Sequence, residues 1–178
     1  DMMGRVVGGP ISDGAYRMFP AFAKATRIDG SKVNFKNIDI RVRETLLARG
    51  EVDAVMGFDS SVWFGLKALG VKIEDVNFMR YSENGLDLYG NSLLASRKLM
   101  KENPKAVAAF TRITARAWKE AMVDPKAAVA ALLKRDPLID ANIEIEKIQW
   151  LAANQIATPA VKAGGIGVVD RARLEQGG

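Results

Sequence analysis

Gly4-Arg5-Val6-Val7-Gly8-Gly9-Pro10-Ile11-Ser12-Asp13-Gly14-Ala15-Tyr16-Arg17 decides how this chain is read. Arg5 to Gly9 is a short apolar run, the signature of a strand. Gly9-Pro10 breaks it, and Ser12 or Asp13 then supplies a helix start signal. The helix is expected to run to about Lys24, with Ala15, Met18, Phe19, Phe22 and Ala23 at helical spacing. Pro20 falls inside that pattern and should kink the helix or shift its start. A strand that turns sharply into a helix leaves backbone N–H groups unpaired at the strand's carboxyl end. In open α/β sheets small ligands bind along that edge. The stretch therefore predicts a ligand-cradling loop, with no catalytic group in it.

The same alternation continues outward. Val33-Asn34-Phe35-Lys36-Asn37-Ile38 alternates apolar and polar and predicts a second strand. A short helix follows over 41–49, with Val42, Leu46 and Leu47 inward, stopped by Gly50. Val52 to Phe58 reads as a third, mostly apolar strand. Asp59-Ser60-Ser61 starts a helix to about Leu69, and Val76 to Tyr81 predicts a fourth strand. Residues 5–81 thus alternate strand and helix, the pattern of parallel strands joined by helical crossovers.

Beyond Tyr81 the pattern changes. Leu88 to Ser96 reads as one more extended run. A short helix covers 97–102. Asn103-Pro104 opens a long helix with Pro at its first position and an inward stripe of Val107, Phe110, Ile113, Ala117, Trp118 and Ala121. Asp124-Pro125 repeats the start signal for a helix to about Arg135. Asp136-Pro137 interrupts, and 145–156 is a last amphipathic helix. The glycine-rich tail around 163–167 is expected to be loose. Trp63, Trp118 and Trp150 stand at helical-stripe positions and are read as core.

Composition narrows the chemistry. The 178 residues are 48% hydrophobic and 26% charged, ordinary for a globular chain. No apolar window reaches the length of a membrane span. The first residues, Asp1 to Arg5, carry neither a basic n-region nor an apolar h-region, so the chain is read as a fragment of a mature protein. The net charge of +5 comes from scattered Lys and Arg, without the basic clusters and interleaved aromatics of nucleic-acid binders. There is no Cys and no His. That removes Cys/His metal sites, thiol chemistry and imidazole acid–base catalysis. No catalytic residue, metal or cofactor is expected.

Candidate contacts sit on two bends. Gly9, Pro10, Ser12, Asp13 and Tyr16 follow the first strand. Ser12 or Asp13 serves as helix cap, as ligand contact, or as both. Phe58, Asp59 and Ser60 follow the third strand, where Phe58 can stack on a planar ligand and Asp59 can accept from an amine or ring N–H. Asp13 and Asp59 favour a ligand rich in donors, whereas Arg17 and Arg80 favour an anion. The sign of the ligand stays open.

Four segments in order carry a resemblance: GRVVGGPISDGAYRMFPAFAKA, ETLLARGEVDAVMGF, ALGVKIEDVNFMRYSENGLDLYGNSLLAS and KENPKAVAAFTRITARAWKEAMVDPKAA. Over roughly 4–135 the chain resembles the nitrate/sulfonate/taurine and thiamine-precursor (NMT1-like) group of ABC-transporter substrate-binding proteins. The resemblance implies a type 2 periplasmic-binding-protein fold, two α/β lobes around a cleft. Residues 1–86 would be an α/β lobe, a parallel or mixed sheet with helices on both faces. Residues 87–96 would be a hinge or crossing strand. Residues 97–178 would be an all-helical segment packing on a first lobe that this chain lacks. Tyr81, Asp87 and Tyr89 fall near that hinge and join the candidate ligand contacts. The implied function is extracytoplasmic, periplasmic or lipid-anchored solute binding, with an ABC permease as membrane partner and a homodimer as a possible form of the chain alone. Two other functions share the scaffold. Eukaryotic thiamine-pyrimidine synthases resemble the group but use a histidine and cysteines absent here, and sensory domains borrow the fold for effector binding.

Overall fold

The computed structural model describes residues 2–175. It divides into two compact units, Asp1–Leu88 and Tyr89–Gly178.

The first unit is a mixed α/β body. Strands β1 (Val6–Gly9), β2 (Asn34–Asn37) and β3 (Ala54–Val55) form a sheet in the order β2-β1-β3. Both pairings are parallel, with Val6 opposite Asn34 and Val7 opposite Ala54. The chain thus steps from β1 to one neighbour and then crosses back to the other. Successive side chains of a strand face opposite sides. Val7 accordingly joins a buried cluster with Phe19, Phe22, Ala23, Val33 and Met56, while Gly8 lies against Ile38 and Val52.

Helix α1 (Gly14–Thr26) supplies half of that cluster. Asp13 caps it by accepting the Ala15 N–H at 2.7 Å. Pro20 sits within the helix and does not move its start. Having no N–H, it leaves the Tyr16 carbonyl without its usual helical donor. The ring of Phe19 meets Phe35 edge-on at 4.7 Å, and Tyr81 stacks on Phe22 at 4.3 Å. Helix α2 (Arg43–Ala48) is shorter than expected, and its inward residue differs. Val42 is 44% exposed, whereas Arg43 is 2% exposed. Helix α3 (Asp59–Ala68) buries Val62, Trp63, Phe64 and Leu66, so Trp63 is core as expected.

The third strand is two residues long instead of seven, although the Asp53 and Met56 N–H groups still donate to β1 at 2.9 Å. No fourth strand forms over 76–81. Val76, Phe78 and Arg80 are half-buried, and Asn77 and Met79 between them are exposed. That is a strand's alternation without a partner ladder among the described residues. The run 88–96 likewise has no strand pairing. Alternation reports which side chains turn inward, not whether a second backbone lies alongside.

The second unit is helical: α4 (Arg97–Glu102), α5 (Pro104–Val123), α6 (Pro125–Leu133), α7 (Ala141–Leu151), α8 (Pro159–Gly164) and α9 (Arg171–Glu175). Its starts are written in the sequence. Ser96, Asn103, Asp124, Asp140 and Thr158 each cap a helix through the side chain, three of them ahead of a Pro in the first turn. The last amphipathic helix begins at Ala141, four residues earlier than expected, because Asp140 caps it, and it runs on as a π turn over Ala152–Ile156. Of the glycine-rich run expected to be loose, 163 and 164 end α8, while 165–167 lie outside the helices, between α8 and α9. Tyr89 accepts the Asp170 N–H at 2.8 Å, and the Arg173 guanidinium lies 4.3 Å from its ring.

The expected inward stripe of α5 splits. Val107, Trp118 and Ala121 are half-buried, but Phe110 is 63% and Ile113 65% exposed. Helix α5 packs on α6 and α7 with one face and leaves Ala106, Phe110, Ile113 and Ala117 open. Val129 is the one side chain of this unit in the buried class among the described residues. A helix apolar on two faces has more apolar surface than one neighbouring layer covers.

Candidate functional site

Because β1, β2 and β3 are parallel, their carboxyl ends share one edge of the sheet. An open depression of about 460 Å³ lies there. Pro10, Ser12 and Asp13 line it from the bend after β1, and Asn37, Ile38, Asp39 and Ile40 from the end of β2. The chain reverses its direction of winding at β1, and crevices at such reversals are where open α/β sheets hold ligands.

Local hydrogen bonds shape the depression. The Asp13 N–H donates to the Pro10 carbonyl at 2.9 Å and closes the bend. The Ile11 N–H donates to Asn37 Oδ1 at 3.2 Å, and the Ile38 N–H to the Gly9 carbonyl at 3.3 Å. These bonds tie the two bends together. Asp39 accepts from Arg41 Nε and Nη2 at 2.9 and 2.7 Å. Those bonds hold its carboxyl down at about 2, well below the usual aspartate range. Ser12 is exposed, leaving its hydroxyl on the open side. Asp13, not Ser12, is the helix cap.

The other expected residues are placed as follows. Gly9 is buried, and a Cβ there would stand 3.3 Å from the Met56 side chain, so its open side faces β3. Tyr16 is half-buried with its ring edge-on to Phe35 at 5.2 Å. Phe58 is 48% exposed at the end of β3. Asp59 accepts the Ser60 N–H at 2.8 Å and pairs with Arg80 Nε at 2.9 Å. Arg80 also donates to Glu83 at 2.9 Å, and the two carboxylates raise its pKa further. Ser60 is buried. Phe58, Asp59 and Ser60 are thus on the shared edge but do not line the depression. Asp87 is exposed near the end of the first unit, and Tyr89 belongs to the second. Arg17 is exposed.

Tyr81 is engaged with α1. Its hydroxyl donates to the Ala15 carbonyl at 2.8 Å, one turn before Pro20. Burial, with a smaller contribution from the Asp13 charge, pushes the phenol up to about 12. A folded pKa above the unfolded value near 10 means that the native state holds this proton more tightly. The stabilisation is complete below pH 10 and lost as pH rises through 12. Alkaline titration followed by tyrosinate absorbance will show a phenol ionising near pH 12 that Tyr81→Phe removes. The associated loss is at most about 2 kcal/mol, after allowance for partial exposure. A late-ionising phenol that survives Tyr81→Phe, or none at all, would show that Tyr81 is not so held.

Asn37, Ile38, Asp39 and Ile40 were missed in the sequence. Their signal was available, since the argument that places the bends after β1 and β3 on one edge applies equally to β2.

Among the described residues no helix is long and apolar enough to cross a membrane, and no group of three or more Asp and Glu is placed to hold a metal. No curated protein matches the chain. The family profile described as NMT1/THI5 like matches residues 1–128, all of the α/β unit together with α4 and α5. With more than half of its length so matched, the chain belongs to the NMT1/THI5-like family, and its general function is solute binding or a closely related activity.

Proposed function

We propose that this chain is the ligand-holding lobe of an extracytoplasmic solute-binding protein that serves an ABC importer. The observation that carries the reading is the depression at the carboxyl edge of the sheet, at the point where the winding reverses, in a chain of this family. Its solute is a small organic molecule or anion: a sulfonate, a nitrate-type anion or a thiamine-pyrimidine precursor. Gly9, Pro10, Ser12, Asp13 and Tyr16 serve it from the first bend, with Asn37 and Asp39 added from the second. Phe58, Asp59 and Ser60 border it from the third. Tyr81, Asp87 and Tyr89 act on the path out of the lobe, Tyr81 by bracing α1.

The work is reversible binding with lobe closure, and no bond is made or broken. The second half of the cleft comes from a first lobe of the same protein. The open face of α5, Phe110 and Ile113 above all, is the surface on which that lobe packs, with residues 87–96 crossing to it. A second copy of the chain takes that face where the lobe is absent. The partner in the membrane is the permease, met from the periplasmic side.

Native mass spectrometry of the full-length protein tests the reading. The expected result is one small solute retained and released chemically unchanged on denaturation. A protein that carries no solute, or that releases one altered in mass, overturns the transport reading; the altered mass points to the synthase on the same scaffold.

A further inference from the structure

Arg43 is the one charged side chain in the buried class among the described residues. It is also the first residue of α2, at the positive end of the helix dipole, where a cation is unfavourable. Two local costs are therefore met at one position, and Glu44 offsets them. The Glu44 carboxylate accepts from Arg43 Nε at 2.9 Å and again from Nη2. The remaining arm, Nη1, donates to the Met56 carbonyl at 3.1 Å. Met56 directly follows β3 and precedes Gly57-Phe58-Asp59-Ser60.

The surroundings are cut to this pair. A Cβ at Gly57 would run into the Arg43 guanidinium and stand 3.1 Å from Val62. One at Gly65, in α3, would stand 2.7 Å from Glu44 Cγ. The guanidinium thus lies against Gly57 in the bend between β3 and α3, and Gly65, within α3, leaves room for the Glu44 side chain that holds it. A buried pair adds little stability over apolar residues of the same volume. What it adds is a directed bond from α2 to one carbonyl.

We propose that Arg43, held by Glu44, is the positioning residue of the β3–α3 bend: through the Met56 carbonyl it sets where Phe58 and Asp59 stand on the ligand edge. The inference rests on the reading that this bend borders the ligand site. Arg43 touches no solute itself. It acts by limiting how far the bend can lift, so that Asp59 is presented at one height.

The test replaces both partners, Arg43→Met with Glu44→Leu, in the full-length protein. Removing the pair together avoids stranding a buried charge, so the variant is expected to fold. Amide hydrogen exchange is the first readout. Expected is a rise on the order of tenfold at residues 57–60, with Val7, Gly8 and Phe35 unchanged. Arg43→Lys, which keeps one donor for Met56, falls between the two. Unchanged exchange at 57–60, or an equal rise in β1 and β2, overturns the positioning role. The second readout is calorimetry with taurine, nitrate and an aminopyrimidine as probes, using whichever binds the wild type. Weakened binding, about tenfold, supports the proposal. Faster exchange with undiminished binding leaves Arg43 as a brace of the bend but removes the bend from the site, so the two readings fail separately.

Discussion

Phe22→Ala will cost the first unit about 4 kcal/mol of stability. Phe22 is 1% exposed, shares the buried cluster with Val7 of the central strand and stacks on the ring of Tyr81. Truncation opens a cavity that the flanking β1 backbone cannot close, because β1 is held on both sides by its parallel neighbours. It also removes the stacked partner of Tyr81, and so loosens the segment that leaves the unit. For a body of this size the melting temperature should fall on the order of 20 °C. Fluorescence of Trp63 reads this unit alone once Trp118 and Trp150 are replaced by Phe. Phe110→Ala is the contrast. With its side chain 63% exposed, it should change stability by less than about 1 kcal/mol in the 178-residue chain kept dilute enough to be monomeric. An equal loss at both positions would show that the α5 face is covered.

Asp59→Ala will weaken solute binding by the full-length protein about ten- to a hundredfold, the range for one charge-assisted hydrogen bond. Folding should hold. The Asp59–Arg80 pair is partly exposed, with side chains 20% and 36% accessible, and such pairs contribute about 1 kcal/mol or less. Arg80 keeps Glu83 as a second partner. Calorimetry with the retained solute checks the prediction, and a variant that binds as tightly as wild type places the cleft elsewhere. Arg80→Met carries the sign of the ligand. Arg80 engages the Asp59 carboxylate at 2.9 Å, so its removal should tighten a solute that donates N–H bonds and weaken an anion. The tightening case needs no new contact, only the loss of an internal competitor.

Much of this was legible in order along the chain. The strand, break and cap at Val6 to Asp13 formed as written because each step uses neighbouring residues: an apolar run, a Gly-Pro break, a carboxylate two residues from the N–H it accepts. The same holds for Asn103-Pro104 and Asp124-Pro125. Strand ends were less legible. Val52 to Phe58 has the composition of a long strand, yet only Ala54 and Val55 pair as one, since pairing depends on a backbone far away in sequence. Val76 to Tyr81 failed for the same reason.

Phe22 and Phe110 mark the boundary most clearly. Both stand on apolar stripes of helical period, and the period alone assigns both to a core. Periodicity says that a helix has an apolar face; it does not say that anything lies against it. By itself the sequence determined the local grammar: where helices start, where the first sheet edge turns, and that no imidazole or thiol chemistry is available. Only the tertiary structure decided that the second strand's end shares the depression with the first, that Arg43 is buried against the third bend, and that α5 keeps an open apolar face. Those three depend on which distant segments meet, and contact between distant segments is a property of packing that no single stretch encodes.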